Sequence, residues 1–279
     1  MRVNSPSVTT RMGTWAVSTA DGLVADQETL LSVLALHHDR LLEEWMGFTT
    51  DEWSRLTRNP GWSLHVTARH VADAMEQGAL AAEGANDLDS LQGFDPRSTP
   101  LDWLEASAGE APAETCARYT AAARRFRDAV GSRLAAGDNA CAMTVYGEAH
   151  WTMNVVHVLW DSWIHERDVL LPVDRTQMCS AEEERLVGLY GLFMAGVPSK
   201  LFGLDLTAVV ELVGQRNTTL ELRCDGKQLT CQETPDGQIQ TSGDHGPAID
   251  ALSGRGLSVE EALPGAPGKL AMLAAHMNS

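Results

Sequence analysis

Apolar positions along the chain fall into two regimes, a helical one up to about residue 197 and an extended one after it. Leu30, Leu31, Leu34, Leu41, Leu42 and Trp45 recur at spacings of three, four and seven, the stripe of an amphipathic helix beginning near Asp26. Asn59-Pro60-Gly61-Trp62-Ser63 follows, with Pro-Gly marking a turn and Ser63 offering an N-cap to a helix over residues 64–83. Residues 84–100 contain Gly84, Gly93, Pro96 and Pro100 and read as a loop. A short helix is predicted over 101–108 and a long Ala/Arg-rich one over 113–136, with Arg118, Arg124, Arg125, Arg127 and Arg133 on a solvated face. Residues 143–147 suit an extended connection, and further helices are expected over 151–171, stopped by Pro172, and over 181–194.

Beyond Val197-Pro198-Ser199-Lys200 the pattern turns β-branched, with strands expected over 207–213, 218–224 and 228–232. Asp225-Gly226-Lys227 and Pro235-Asp236-Gly237 are turns, and short helices over 247–253 and 269–276 close the chain. The expected organisation is an N-terminal tail (1–25), a helical bundle domain (26–198) and a small C-terminal α+β domain (199–279). No internal repeat or low-complexity tract interrupts it.

Composition narrows the function classes. The 279 residues are 44% apolar, as in a globular protein, and carry 21 basic against 38 acidic side chains, a net charge of −17. That balance excludes nucleic acid and anionic lipid as natural partners, because both require a basic footprint. No apolar run reaches the ~20 residues that cross a bilayer, and the first residues lack the apolar core of a signal peptide, so a cytoplasmic location is expected. The five cysteines are odd in number with no CxxC pair. Cys224 and Cys231 could face each other across a hairpin, but they read as small, reduced core residues.

The candidate chemistry centres on Trp160-Asp161-Ser162-Trp163-Ile164-His165-Glu166-Arg167-Asp168. Residues four apart on a helix lie about 40° apart on one face, which sets Asp161 and His165 side by side and leaves His157 on the same broad face. A carboxylate and an imidazole so placed are half of a metal site or an acid–base pair, and a third group must come from another helix. His70, surrounded by Val66, Ala74 and Leu80 on an apolar face, is the best partner. His65 falls in an exposed first turn, and His37 and His38 read as surface or boundary residues. Two imidazoles and one carboxylate suit Zn²⁺, Fe²⁺ or Ni²⁺ with positions left for a small molecule. Trp62, Trp151, Trp160 and Trp163 either line a pocket or pack in the core. Glu166 and Arg167 read as a surface pair, and Asp168 as an acceptor for a ligand histidine.

Gly61-Trp62-Ser63-Leu64-His65-Val66-Thr67-Ala68-Arg69-His70 resembles the Gly-Trp-Ser/Thr stretch ending in a ligand histidine of the DinB-like superfamily. Together with the Asp161–Asp168 stretch, it is similar to the mycothiol-dependent maleylpyruvate isomerase-like branch over nearly the whole chain. The resemblance implies a four-helix metal-binding domain followed by a small α/β domain. It implies His70, Asp161 and His165 as metal ligands, and Arg255 as a catalytic and thiol-binding arginine from the C-terminal domain. It further implies a divalent metal, zinc foremost and nickel or iron as alternatives, with mycothiol as co-substrate. Two positions depart from the pattern: Asp161 stands where the isomerase has Glu, with His157 as a candidate substitute, and Val66 stands where an acidic residue is usual. The expected activity is S-transfer of a low-molecular-weight thiol onto an electrophilic small molecule. Cis–trans isomerisation of the maleylpyruvate type, metal-dependent hydrolysis and non-catalytic metal or small-molecule binding are the alternatives. A monomer or homodimer is expected, with no nucleic-acid or membrane partner.

Overall fold

The computed structural model describes residues 11–12, 27–84, 98–138, 140–144, 147–226, 228–234 and 236–276. The expected tail apart from Arg11 and Met12, most of the 84–100 loop, residues 145–146 of the extended connection, and Lys227 and Pro235 of the two turns lie outside the described residues.

In chain order the helices are α1 (Gln27–Met46), α2 (Thr50–Ser54), α3 (Leu64–Ala82), α4 (Thr99–Ala106), α5 (Pro112–Ala135), α6 (Thr152–Leu170), α7 (Ala181–Leu201), α8 (His245–Leu252), α9 (Val259–Ala262) and α10 (Gly268–His276). The strands are β1 (Arg11–Met12), β2 (Cys141–Thr144), β3 (Gly147–His150), β4 (Asp205–Val213), β5 (Thr218–Asp225), β6 (Leu229–Glu233) and β7 (Thr241–Asp244). Four long helices form a closed ring of contacts, α1 against α5, α5 against α3, α3 against α6, and α6 back to α1. Ser63 caps α3 by accepting from Val66 N (3.2 Å), as its position before the apolar run predicts.

The C-terminal unit is a mixed sheet in the order β1-β6-β5-β4-β7, in which β4-β5-β6 is an antiparallel meander and β1 and β7 pair in parallel. Alternation along β5 buries Thr218, Leu220, Leu222 and Cys224. Cys224 and Cys231 are both buried and unbridged; their register partners are Leu229 and Leu222, so they do not face each other. Strands β1 and β7 and helices α2 and α9 were absent from the predicted elements. They are two to five residues long, too short for periodicity to register.

The predicted break near residue 197 is corrected: α7 runs unbroken to Leu201 through Pro198. Proline forfeits one backbone donor, but here it stands in the final turn, and its carbonyl accepts from Phe202 N (2.9 Å). This helix packs on α6 and also on β4, β5 and β6, so it belongs to both halves of the molecule. A Cβ at Gly196 would lie 2.8 Å from Leu229 Cδ1 and 2.9 Å from Leu222 Cδ1, so glycine is what lets the sheet approach so closely.

Two surface assignments also change: His37 and His38 are buried, and Glu166 is fully buried. The arginines of α5 keep partly or fully exposed side chains, as expected, and most of them form ion pairs there. Arg118 binds Asp73 and Glu110, Arg125 binds Glu83, Arg127 binds Asp39, and Arg133 binds Asp138. Where α1, α6 and α7 meet, Arg40 bridges Glu166 (Nε–Oε1 and Nη2–Oε2, both 2.7 Å) and Glu183 (Nη1–Oε2 2.8 Å, Nη2–Oε1 2.6 Å). His37, assigned from its partners, donates from Nδ1 to Glu183 (3.0 Å) and accepts at Nε2 from the Ser162 hydroxyl (2.7 Å). Burial alone would raise the Glu183 carboxyl; the hydrogen bonds from Arg40 and His37 overcome it and hold the group at about 2.

Removing the guanidinium strands two buried carboxylates, so Arg40→Met should lower unfolding free energy by about 3–5 kcal/mol in denaturant titrations at pH 7. Because Glu183 titrates lower in the folded than in the unfolded chain, its contribution is complete above about pH 4.5 and disappears as pH falls toward 2. Arg40→Met should therefore lose less stability than the unmutated chain between pH 5 and 3, and an unchanged acid dependence would contradict this assignment.

Candidate metal centre

A tight turn sets the first wall of the site. Asn59 O accepts from Trp62 N (3.1 Å) across Pro60-Gly61, and Gly61 sits at φ +82°, the arrangement that favours Pro and then Gly at the two central positions. The flanking backbone closes a small hairpin, with Thr57 N donating to Trp62 O (2.8 Å) and Leu64 N to Arg55 O (2.8 Å). Trp62 is thereby laid over the two histidines, 5.1 Å from the His70 ring and stacked on His165 at 6.1 Å and 21°.

Helix α3 brings His70, and α6 brings Asp161 and His165. The two helices meet closely at Gly78, where a Cβ would fall 2.8 Å from Val158 Cγ2. One donor atom from each of His70, Asp161 and His165 lies within 4.8 Å of the other two. Asp161 Oδ2 is 3.8 Å from His70 Nε2 and Asp161 Oδ1 is 3.7 Å from His165 Nε2, too long for hydrogen bonds. Two ligands on one tetrahedral zinc stand about 3.4 Å apart, from bond lengths of roughly 2.0–2.1 Å. The two edges that meet at Asp161 are thus a few tenths of an ångström longer than in a closed coordination shell.

The electrostatics suit a cation. His70 is pushed down to about 4, first by burial and then by the neighbouring His165, so it is a neutral donor at pH 7. Burial would raise the Asp161 carboxyl, but His165 and His70 together hold it below its ordinary value. His165 donates from Nδ1 to Asp168 Oδ2 (3.0 Å), which fixes the tautomer and leaves Nε2 directed at Asp161. The expected acceptor role of Asp168 is what the geometry displays. His70 Nδ1 is buried without a hydrogen-bond partner. Imidazole nitrogens of His70 and His165 and a carboxylate oxygen of Asp161, not hydrogen-bonded to one another, are a donor set that fits a borderline divalent ion.

Arg255 reaches the same carboxylate: Nε donates to Asp168 Oδ2 (3.0 Å), Nη2 to Asn59 Oδ1 (3.1 Å) and Nη1 to Ser253 O (2.9 Å). Sequence reasoning missed Arg58, which joins Asp168 to Asp250 of α8, and misplaced Arg167, which binds Asp250 rather than Glu166. Arg58 carried a usable signal, a cation one residue before the Asn-Pro-Gly turn that precedes a ligand helix. His157 is not part of the cluster; its Nδ1 is hydrogen-bonded to Tyr190 Oη (2.8 Å). His65 is half-buried against Thr115 (3.1 Å) rather than exposed. Of the four tryptophans, Trp151 and Trp163 are core, while Trp62 and Trp160 are partly exposed. A second group of candidate ligands, His37, Glu166 and Glu183, already has both of its carboxylates hydrogen-bonded to the Arg40 guanidinium.

No family model matches the chain, and no curated protein matches it. Two solved structures do share its fold. The crystal structure of the mycothiol-dependent maleylpyruvate isomerase aligns with TM-score 0.57 and 13% identity, covering 86% of this chain and 95% of that chain. A histidine-to-alanine mutant of the same enzyme aligns over the same extents with TM-score 0.56. The expected resemblance therefore holds at the level of fold, a helical body with a small mixed sheet at its C-terminal end. Among the described residues, no helix is long and apolar enough to cross a membrane.

A donor set of this kind should take up one first-row divalent ion per chain in equilibrium dialysis, with metal counted by mass spectrometry. His165→Ala and Asp161→Asn should each lower that affinity at least ten-fold. Uptake that is undiminished in both variants would place the ion elsewhere.

Proposed function

We propose that this chain is a metal- and mycothiol-dependent S-transferase, in which His70, Asp161 and His165 hold a divalent ion, zinc foremost. The ring of α1, α3, α5 and α6 is then the four-helix bundle of the DinB-like fold, and residues 199–279 its C-terminal domain. The single observation that carries the reading is the convergence of two imidazoles and one carboxylate, unbonded to each other, in a chain with the fold of a mycothiol-dependent enzyme.

When bound there, a divalent metal supplies the positive charge that keeps a thiol ionised at neutral pH. The remaining contributions come from the chain. Asp168 fixes His165 with Nε2 toward the centre. Trp62 covers both imidazoles and excludes water from one side. Arg255 keeps a fifth of its side chain exposed, and the two N–H groups left over by its three hydrogen bonds are donors for a carboxylate of thiol or electrophile. The thiolate sulfur forms a bond to an electrophilic carbon; in transfer the conjugate is released with any leaving group. Addition, rotation and re-expulsion of the thiol would give cis–trans isomerisation, the second reading, supported by the likeness in fold to the mycothiol-dependent maleylpyruvate isomerase. Transfer is preferred because Asp161 replaces the longer carboxylate of the isomerase pattern.

The test is thiol consumption by metal-replete protein with mycothiol and a panel of soft electrophiles, with maleylpyruvate assayed in parallel. Conjugate formation that needs both metal and thiol, and falls at least a hundred-fold in His165→Ala, is expected. Turnover of maleylpyruvate without net thiol loss would favour isomerisation. Equal activity without any thiol would identify a hydrolase and contradict the proposal.

A further inference from the structure

Resting on the metal-centre reading, we propose that Arg58 is a positioning residue that transmits the docking of the C-terminal unit to the metal ligand His165. Arg58 is the residue just before the Asn59-Pro60-Gly61 turn, and its guanidinium spans two carboxylates from separate parts of the chain. Nε donates to Asp168 Oδ1 (3.0 Å), and Nη2 lies 2.9 Å from the same oxygen. Nη1 and Nη2 donate to Asp250 Oδ2 (2.7 Å) and Oδ1 (2.9 Å), a two-point grip on helix α8. Asp250 is itself held from the other side by Arg167 of α6 (Nη2–Oδ2 2.7 Å, Nε–Oδ1 3.0 Å). Asp168 has no exposed surface and Asp250 is 4% exposed, so these are pairs removed from water rather than surface contacts.

The consequence for the ligand is geometric. Asp168 Oδ2 receives the His165 Nδ1 proton, and Oδ1 is the oxygen Arg58 holds. The carboxylate plane, and with it the direction of the imidazole, is set by Arg58 on one oxygen and Arg255 on the other. Asn59, the neighbour of Arg58, accepts from Arg255 Nη2 (3.1 Å), which closes a loop of contacts among the turn, α6 and the segment after α8. A lysine presents a single ammonium and cannot face two carboxylates as this fork does. The C-terminal unit therefore does more than lie beside the bundle: through Asp250 and Arg58 it is braced against the group that aims His165.

The experiment compares Co²⁺ and Zn²⁺ affinity by competition with a chromophoric chelator, and the Co²⁺ visible spectrum, in the full chain and in Arg58→Met, Arg58→Lys, Asp250→Asn and Arg118→Met. Arg58→Met should weaken metal binding 10- to 100-fold and alter the Co²⁺ bands, the range typical for loss of an outer-shell partner. Arg58→Lys should recover less than half of that loss on a logarithmic scale, and Asp250→Asn, which keeps shape but removes the charge, should weaken binding in the same direction. Arg118→Met breaks a paired arginine whose partners are Asp73, Glu76 and Glu110 rather than Asp168 or Asp250, and should leave affinity and spectrum unchanged. Should Arg58→Met fail to fold, Asp250→Asn decides the matter by itself. Full affinity with unchanged Co²⁺ bands in folded Arg58→Met, or in Asp250→Asn, overturns the positioning role while leaving the metal centre intact. Absence of binding in the unmutated chain overturns both.

Discussion

A buried carboxylate that must stay ionised governs the site. Asp168 has no contact with solvent, and burial by itself would make it take a proton. The His165 hydrogen bond and the neighbouring Arg255 and Arg58 guanidiniums reverse that tendency and hold it at about 2. The three partners come from three segments: α6 itself, the turn before α3, and the stretch following α8. Each arginine then has acceptors of its own, Asp250 for Arg58 and Asn59 for Arg255. One desolvated charge thus ties α6, the turn before α3 and the C-terminal unit into a single arrangement, and fixes the ring nitrogen His165 turns toward Asp161.

Helix α6 shows why this works on one element. At 100° per residue, Asp161, His165 and Asp168 fall within a sector of about 60°, and Ser162 and Glu166 occupy the next sector. Trp163 and Arg167 lie farther round. The first sector faces His70, Arg58 and Arg255, the second faces His37 and Arg40, and the third meets His245 and Asp250. Of the charged residues of α6, Glu166, Arg167 and Asp168 are paired with groups from other elements, and the Asp161 carboxylate, without a hydrogen bond among the described residues, faces the two histidines.

That pairing separates what was legible in the sequence from what was not. Ser63, the Pro60-Gly61 turn, the long helices and the shared face of Asp161 and His165 are local matters, decided within a few residues by capping and periodicity. His70 could be picked out because an imidazole on an apolar face demands a partner. Glu166, Arg167 and His37 were misplaced because polarity alone suggested solvent, whereas their partners are distant in sequence; His38 was misplaced because it packs against the rings of Tyr119 and Phe126. Glu183 stands 146 residues from His37, and Asp250 83 from Arg167. Arg58 escaped for the same reason, with Asp168 110 residues away and Asp250 192. The continuation of α7 past Pro198 was hidden because the sheet that stabilises its last turns is formed by later sequence.

The most direct measurement is X-ray absorption at the metal edge of the loaded protein, before and after addition of mycothiol. The account predicts two imidazole nitrogens with oxygen scatterers before thiol. Afterwards it predicts one new sulfur at about 2.3 Å from zinc. A first shell without imidazole, or one that gains no sulfur at saturating thiol, would contradict it.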